Sequence, residues 1–149
     1  MLKCITINLS TLIYINMPQN TWQLSWNSKG YDFEGRMKAA AARETARHMK
    51  QSWGRSPTTN ISKIQKDDII YISCKGKCVA KAHVTRPFYQ TAQIQTDEFV
   101  VNQQKHDERH VKKWYCEIYI DEIYFDEHRR KLRGNQNTFC NPTNAFWKN

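Results

Sequence analysis

Two runs of alternating side chains commit this chain to a β-sheet. Between Ile69 and Thr85 the sequence IIYISCKGKCVAKAHVT holds two apolar-rich segments separated by Lys75–Lys77. Gly76 supplies the positive φ that a tight turn requires, so the stretch predicts a hairpin of Ile69–Cys74 and Cys78–Thr85, with Pro87 ending its second strand. Trp114–Phe125 (WYCEIYIDEIYF) alternates throughout and predicts a long strand with one face in the core. Thr21–Trp26 (TWQLSW) predicts a first strand, with Trp22 and Trp26 on the same face. Phe99–Val101 and part of Thr138–Trp147 read as shorter strands.

The remaining strong signal is helical. Arg36–Ser52 (RMKAAAARETARHMKQS) contains neither Gly nor Pro and is rich in good helix formers. It predicts one helix with Met37, Ala41, Ala42, Ala46 and Met49 inward and Arg36, Lys38, Arg43, Arg47 and Lys50 outward. Loops are expected at Asn27–Gly35, at Trp53–Asn60 with its breakers Gly54 and Pro57, and at Arg86–Asp97. Asp67–Asp68 falls in the turn before the hairpin. The order β–α–β–β–(β)–β predicts an α+β fold: a small curled, mostly antiparallel β-barrel with flanking helices.

At 149 residues the chain makes one domain. Its apolar opening, Cys4 to Ile15, is broken by Thr, Asn and Ser. It is too short and too polar to span a bilayer and lacks the small residues of a cleavage site. Residues 1–16 are therefore expected to be an appendage, with Met17 an alternative start and 17–149 the domain. Cys4, Cys74, Cys78, Cys116 and Cys140 are odd in number and show no framework spacing, which implies reduced thiols inside a cell. Cys74 and Cys78 flank a turn as facing strand residues. His106 and His110 can share a helical face but have no knuckle around them, so no metal and no organic cofactor are expected.

Charge points to a partner. The chain carries 23 Lys+Arg against 14 Asp+Glu, a formal +9, together with 12% aromatic residues. Cations of this density favour a polyanion, since they displace counterions from phosphates. The candidate phosphate contacts form two clusters: Arg36, Arg43, Arg47 and Lys50 with Arg55, and Arg129, Arg130, Lys131 and Arg133. Singly, each is accounted for equally well by a solvated surface; their clustering is what favours a shared positive face.

The stretch Trp53–Tyr89 carries a further pattern. A tryptophan, then Ile61–Lys63–Ile64, a turn at Lys66–Asp68, and IIYISCKGKCVAKAHVTRPFY together resemble the EVE domain of the PUA-like superfamily, whose relatives include YTH and ASCH domains. TWQLSWNSKGYDF resembles that family's opening strand and WYCEIYIDEI a later one, so the likeness covers roughly residues 20–125. Asp67 stands where the family has glycine, and the basic Ala-rich helix is not a family feature. The resemblance implies a PUA-like pocket that holds one modified base.

On that footing Trp26 and Trp53 are the candidate stacking residues, since an indole on an unstacked base contributes about 1–3 kcal/mol. Ser25, Asn27, Ser28, Ser73 and Asn60 are the candidate groups for reading the base's edge, Asn27 and Ser28 by their place in the resemblance. A tryptophan alone is more commonly core, and Asn or Ser after a strand is commonly a loop cap. The expected function is a nucleic-acid reader for DNA or RNA, with no membrane role. Two alternatives stand beside it. An ASCH-like hydrolase would need a buried ionisable group with a shifted pKa, sought among Lys29, Asp32 and Glu34. A protein–protein adaptor would show an exposed apolar patch on the helix. No phosphate loop, nucleophile elbow or paired-carboxylate motif is present in the sequence, so catalysis is not the expectation.

Overall fold

The computed structural model describes residues 21–26, 29–53, 57 and 61–132. In chain order the elements are β1 (Thr21–Trp26), α1 (Phe33–Ala42), β2 (His48–Trp53), β3 (Ile69–Cys74), β4 (Lys77–Gln90), α2 (Gln103–Arg109) and β5 (Trp114–Ile123). Short 3-10 turns occupy Glu44–Arg47, Ile61–Lys63 and Asp126–His128. The fold is α+β, with five strands in the order β1-β3-β4-β5-β2. β1 runs parallel to β3, Thr21 opposite Ile69 and Trp26 opposite Cys74, and the other pairings are antiparallel.

The hairpin forms as its turn chemistry requires. Lys75 (φ 54°) and Gly76 (φ 81°) are both left-handed, which gives the mirror-image turn whose twist matches that of the flanking strands. Asp67, at φ 73°, is also left-handed; this is a backbone state suited to glycine and tolerated by aspartate better than by most residues. Pro87 does not end β4. The register against β5 shifts between Arg86 and Tyr89, so Pro87 falls in an irregular stretch where a missing N–H breaks no regular ladder. Phe99–Val101 is not a strand; it makes one isolated bridge, Val100 to Tyr31.

The long helix expected over Arg36–Ser52 is replaced by three elements. α1 starts earlier, capped by Asp32, whose side chain accepts from the Gly35 backbone N–H at 3.0 Å. A side chain at Gly35 would collide with that cap, because a Cβ there would lie 2.3 Å from Asp32 Oδ2. α1 ends at Ala42, and Arg43 turns the backbone into an extended conformation. After the 3-10 turn the chain enters β2, which pairs with β5 over its full length. Helix propensity thus yields to a strand ladder and to the burial of Met49 beside Ile118. Arg47 fixes the junction: its guanidinium donates to the carbonyls of Ala40, Ile120 and Asp121 at 2.9–3.1 Å. Of the stripe expected inward, Met37 and Met49 are buried and Ala46 half-buried; Ala41 and Ala42 are exposed, and Ala40 takes their place.

The core lies against one face of the sheet. Trp22, Leu24 and Trp26 from β1, Ile70 and Ile72 from β3, Ala80, Ala82 and Val84 from β4, and Cys116, Ile118 and Ile120 from β5 are buried with Phe33, Met37 and Ala40 of α1. Irregular registers along β4 let the sheet bend. It remains an open sheet and not the closed barrel expected: among the described residues no backbone pairing joins its edge strands, β1 and β2. No helix among the described residues is long and apolar enough to cross a membrane. The expectations for residues 1–16, Met17 and Thr138–Trp147 lie outside the described residues.

Asp68 ties β1 to the turn before β3. It is buried, and one carboxylate oxygen accepts from Trp22 Nε1 at 3.0 Å and from the Gln65 backbone N–H at 2.9 Å. Asp68→Ala leaves both donors without an acceptor and is expected to lower stability in urea unfolding by about 2–4 kcal/mol, given roughly 1–3 kcal/mol for each orphaned buried group. Asp68→Asn, which keeps a carbonyl acceptor, should lose clearly less; equal losses would show that the hydrogen bonds are not what Asp68 contributes.

Candidate functional site

The end of β1, the start of α1, the length of β2, the 95–102 loop and α2 enclose an open cleft of about 1190 Å³. A side-chain bond links β1 to β2 across it: Trp26 Nε1 donates to Gln51 Oε1 at 2.8 Å, from one edge of the sheet to the other. The Gln51 amide donates onward to the Ser52 carbonyl at 3.0 Å. Trp26 is only 6% exposed and stacks on Phe33, with ring centroids 3.5 Å apart and planes at 18°. One indole face is therefore already covered. Trp53 follows Gln51 by two residues on the same face of β2, about 7 Å farther along the strand. It is half-buried, with Phe88 as its ring neighbour at 6.1 Å.

A half-buried polar knot forms another wall. Tyr31 Oη donates to Asp97 Oδ2 at 2.5 Å, and Arg36 Nη1 donates to the same oxygen at 3.2 Å. Arg36 Nη2 donates to the His48 carbonyl at 2.7 Å, so this one guanidinium connects α1, the 95–102 loop and β2. Burial, followed by the Asp97 carboxylate, pushes the Tyr31 hydroxyl far above the ordinary tyrosine range and keeps it a donor. At the outer lip, α2 carries His106 and His110 with ring centroids 4.3 Å apart, and His110 Nδ1 donates to the His106 carbonyl at 2.7 Å.

The cleft lining carries five cations (Lys29, Arg36, Lys50, Lys105, Arg109) against two carboxylates, Asp97 and Glu108. Of the residues singled out from sequence, Ser25, Trp26, Trp53, Arg36 and Lys50 line this cleft. Ser73 does not; it is fully buried on β3. Asn27, Ser28, Asn60, Arg55 and Arg133 lie outside the described residues. Arg43 is exposed and 3.8 Å from Glu98. Arg47 is occupied by the three carbonyls described above. Arg129 forms a two-pronged pair with Glu34 at 2.6 and 3.0 Å and also donates to the Tyr124 carbonyl. Arg130 and Lys131 are exposed near the turn of the hairpin, where Lys131 bridges Lys77. Among the described residues of the second basic cluster, Arg129, Arg130 and Lys131 do not line the cleft.

Of the groups considered for hydrolysis, Asp32 and Glu34 have structural roles, while Lys29 lines the cleft. Asp32 caps α1, and Arg129 holds the Glu34 carboxyl below its usual range. Burial raises Cys74, and pushes Cys78 and Cys116 up to about 12, so these three stay thiols. Among the described residues no group of three or more His, Cys, Asp and Glu side chains is arranged to hold a metal ion. Among the described residues the exposed large apolar side chains are Val101, Val111 and Phe125, none of them on α1. Sequence reading missed Gln51, Tyr31, Asp97, Lys105 and Arg109. The i,i+4 spacing of Lys105 and Arg109 was the one signal available for the last two.

No protein-family model matches the chain, and no curated protein matches it. Among solved structures it is similar to the NMR structure of Rpa0253 from Rhodopseudomonas palustris, with a TM-score of 0.43 and 12% identity over 70% of this chain and 62% of that one. The chain thus spans less than two thirds of that protein's length, and a likeness of this degree carries no argument about function.

The lip also has a pH signature. Burial depresses the pKa of His110 below the ordinary value. The unfolded chain, with a histidine pKa of about 6.5, therefore takes up the proton first. Stability associated with neutral His110 is fully present above about pH 6.5 and is lost as pH falls through the lower folded value. Melting temperatures measured from about pH 7.5 to pH 5 should fall more steeply for the wild type than for His110→Gln. Parallel curves would remove His110 from the account.

Proposed function

We propose that this protein is a nucleic-acid-binding module that admits one base of a single-stranded DNA or RNA segment into the cleft between β1 and β2. The fold is proposed as an open relative of the PUA-like barrel, in keeping with the EVE-like pattern of Trp53–Tyr89. The observation that carries the reading is the lining of the cleft: indoles at two positions, a surplus of cations and neutral hydrogen-bonding groups on the same walls. Bases, modified or not, present flat π-faces, and their backbone presents phosphates; aromatic and cationic groups side by side answer both. Trp53 takes the stacking role, because Phe33 already covers one face of Trp26. Trp26 then serves as the inner wall, held in position by Gln51. Ser25 and Ser52 stand at the same cleft as candidate groups for reading a base's edge. The free cysteines Cys74, Cys78 and Cys116 are compatible with a reducing, intracellular compartment.

Titration with short single-stranded oligonucleotides should quench tryptophan fluorescence, with an affinity that falls as salt rises. Trp53→Ala is expected to weaken binding by about 5- to 150-fold, the equivalent of roughly 1–3 kcal/mol for one stacked base. Trp53→Phe should recover part of that loss, which separates stacking from damage to the fold. A wild-type protein that binds no oligonucleotide at low salt would sink the reading.

A further inference from the structure

We infer that the α2 lip of the cleft, through Lys105 and Arg109, is the subsite that grips the backbone of the bound strand. The inference rests on the nucleic-acid reading above and assigns a place to the phosphates within it. Several other arginines are already engaged. Arg36 serves Asp97 and the His48 carbonyl, and Arg47 serves three backbone carbonyls. Arg129 is paired with Glu34. Arg86 lies 3.5 Å from Glu117 and sits over the Tyr89 ring at 3.6 Å. Each of these guanidiniums is already held by protein partners, so a phosphate would have to share it.

Lys105 and Arg109 differ from all of these. Both are exposed, both line the cleft, and among the described residues neither pairs with a carboxylate. Four positions apart on α2, they share one face and stand about 6 Å apart along its axis. Lys50 lies across the cleft, where among the described residues its ammonium meets the neutral side chain of Gln95, at 3.4 Å, and no carboxylate. α2 also carries two carboxylates: Glu108, which lines the cleft and meets the Gln104 amide at 3.3 Å, and Asp107, which accepts from the Gln103 amide at 2.6 Å and does not line the cleft. A strand whose base enters toward Trp53 would thus carry its phosphates past α2. An acidic peptide would satisfy the cations, but it offers no ring for the indoles of the same cleft, and this favours nucleic acid.

The test is fluorescence anisotropy with labelled oligo-dT and oligo-U between about 50 and 200 mM salt. Lys105→Ala/Arg109→Ala should weaken both probes on the order of tenfold at low salt, and should flatten the slope of log K against log salt by about 1.4, at about 0.7 for each single-strand phosphate released. The order of preference among bases should stay as in the wild type. Lys38→Ala, an exposed cation on α1 away from the cleft, should change neither quantity. Lys105→Gln/Arg109→Gln gives a second, more conservative readout, with the melting temperature as a check on the fold. A wild-type slope in both double variants overturns this assignment while leaving the reader reading intact. Competition by polyglutamate as effective as by oligonucleotide overturns the choice of nucleic acid. A wild type that binds neither probe overturns the reading beneath both.

Discussion

Parallel pairing of β1 with β3 cannot be made through a tight turn; the chain must leave the sheet and come back. Here it returns by way of α1 and also lays β2 against β5 at the opposite edge before entering β3. The two edges of one sheet are thereby linked through a helix of ten residues, about 15 Å long. In a flat sheet, β1 and β2 would be separated by four strand spacings, about 19 Å. Curling brings them within reach of one another's side chains, and the Trp26–Gln51 bond records how near they come. Arg47, which fastens the end of α1 to β5, holds the helix at the place where this geometry is set. The cleft follows from that route: it is the gap left where a curled sheet brings its edges together without pairing them.

Much of this was legible in the sequence, and the parts that were not share a cause. β1, the hairpin and β5 were readable because each alternates and is bounded by turn chemistry that acts locally. β2 was hidden because His48–Trp53 continues a run of good helix formers, and only the partner strand, more than sixty residues later, converts it to a strand. Pro87 misled for a similar reason, since only the register against β5 shows that it falls where the ladder is irregular. The site divides the same way. Trp26 and Trp53 stood out as aromatics at element ends and do share the cleft. Gln51, Tyr31 and Asp97 are ordinary residue types whose importance comes from neighbours distant in sequence. Ser73 looked available as a strand-end hydroxyl but is enclosed.

Charge shows how far composition can carry an argument. A formal +9 suggests a polyanion but cannot say which cations meet it. Several of the arginines in the clusters that first drew notice act as structural cross-links, a role suited to a planar group with several donors. Arg47 gathers carbonyls, Arg36 ties three segments together, and Arg129 joins α1 to the segment after β5. The cleft keeps its surplus through residues that composition alone would not have singled out. Net charge and local charge are here separate properties, and only the second bears on recognition.

The circuitous path of the chain also bears on the order in which the molecule comes together. β3 and β4 are joined by a two-residue turn, whereas the indole of Trp22 finds Asp68 across 46 positions. Short closures cost less chain entropy and occur sooner. β1 and β2 each pair with a single neighbour, β3 and β5, and have nothing to pair with until that neighbour is in place. Among the described residues the rim of the cleft is closed by side chains, with no backbone ladder between β1 and β2. A molecule that binds across it engages only the closed state, surrendering part of its affinity to hold the edges together while adding to the endurance of the whole domain.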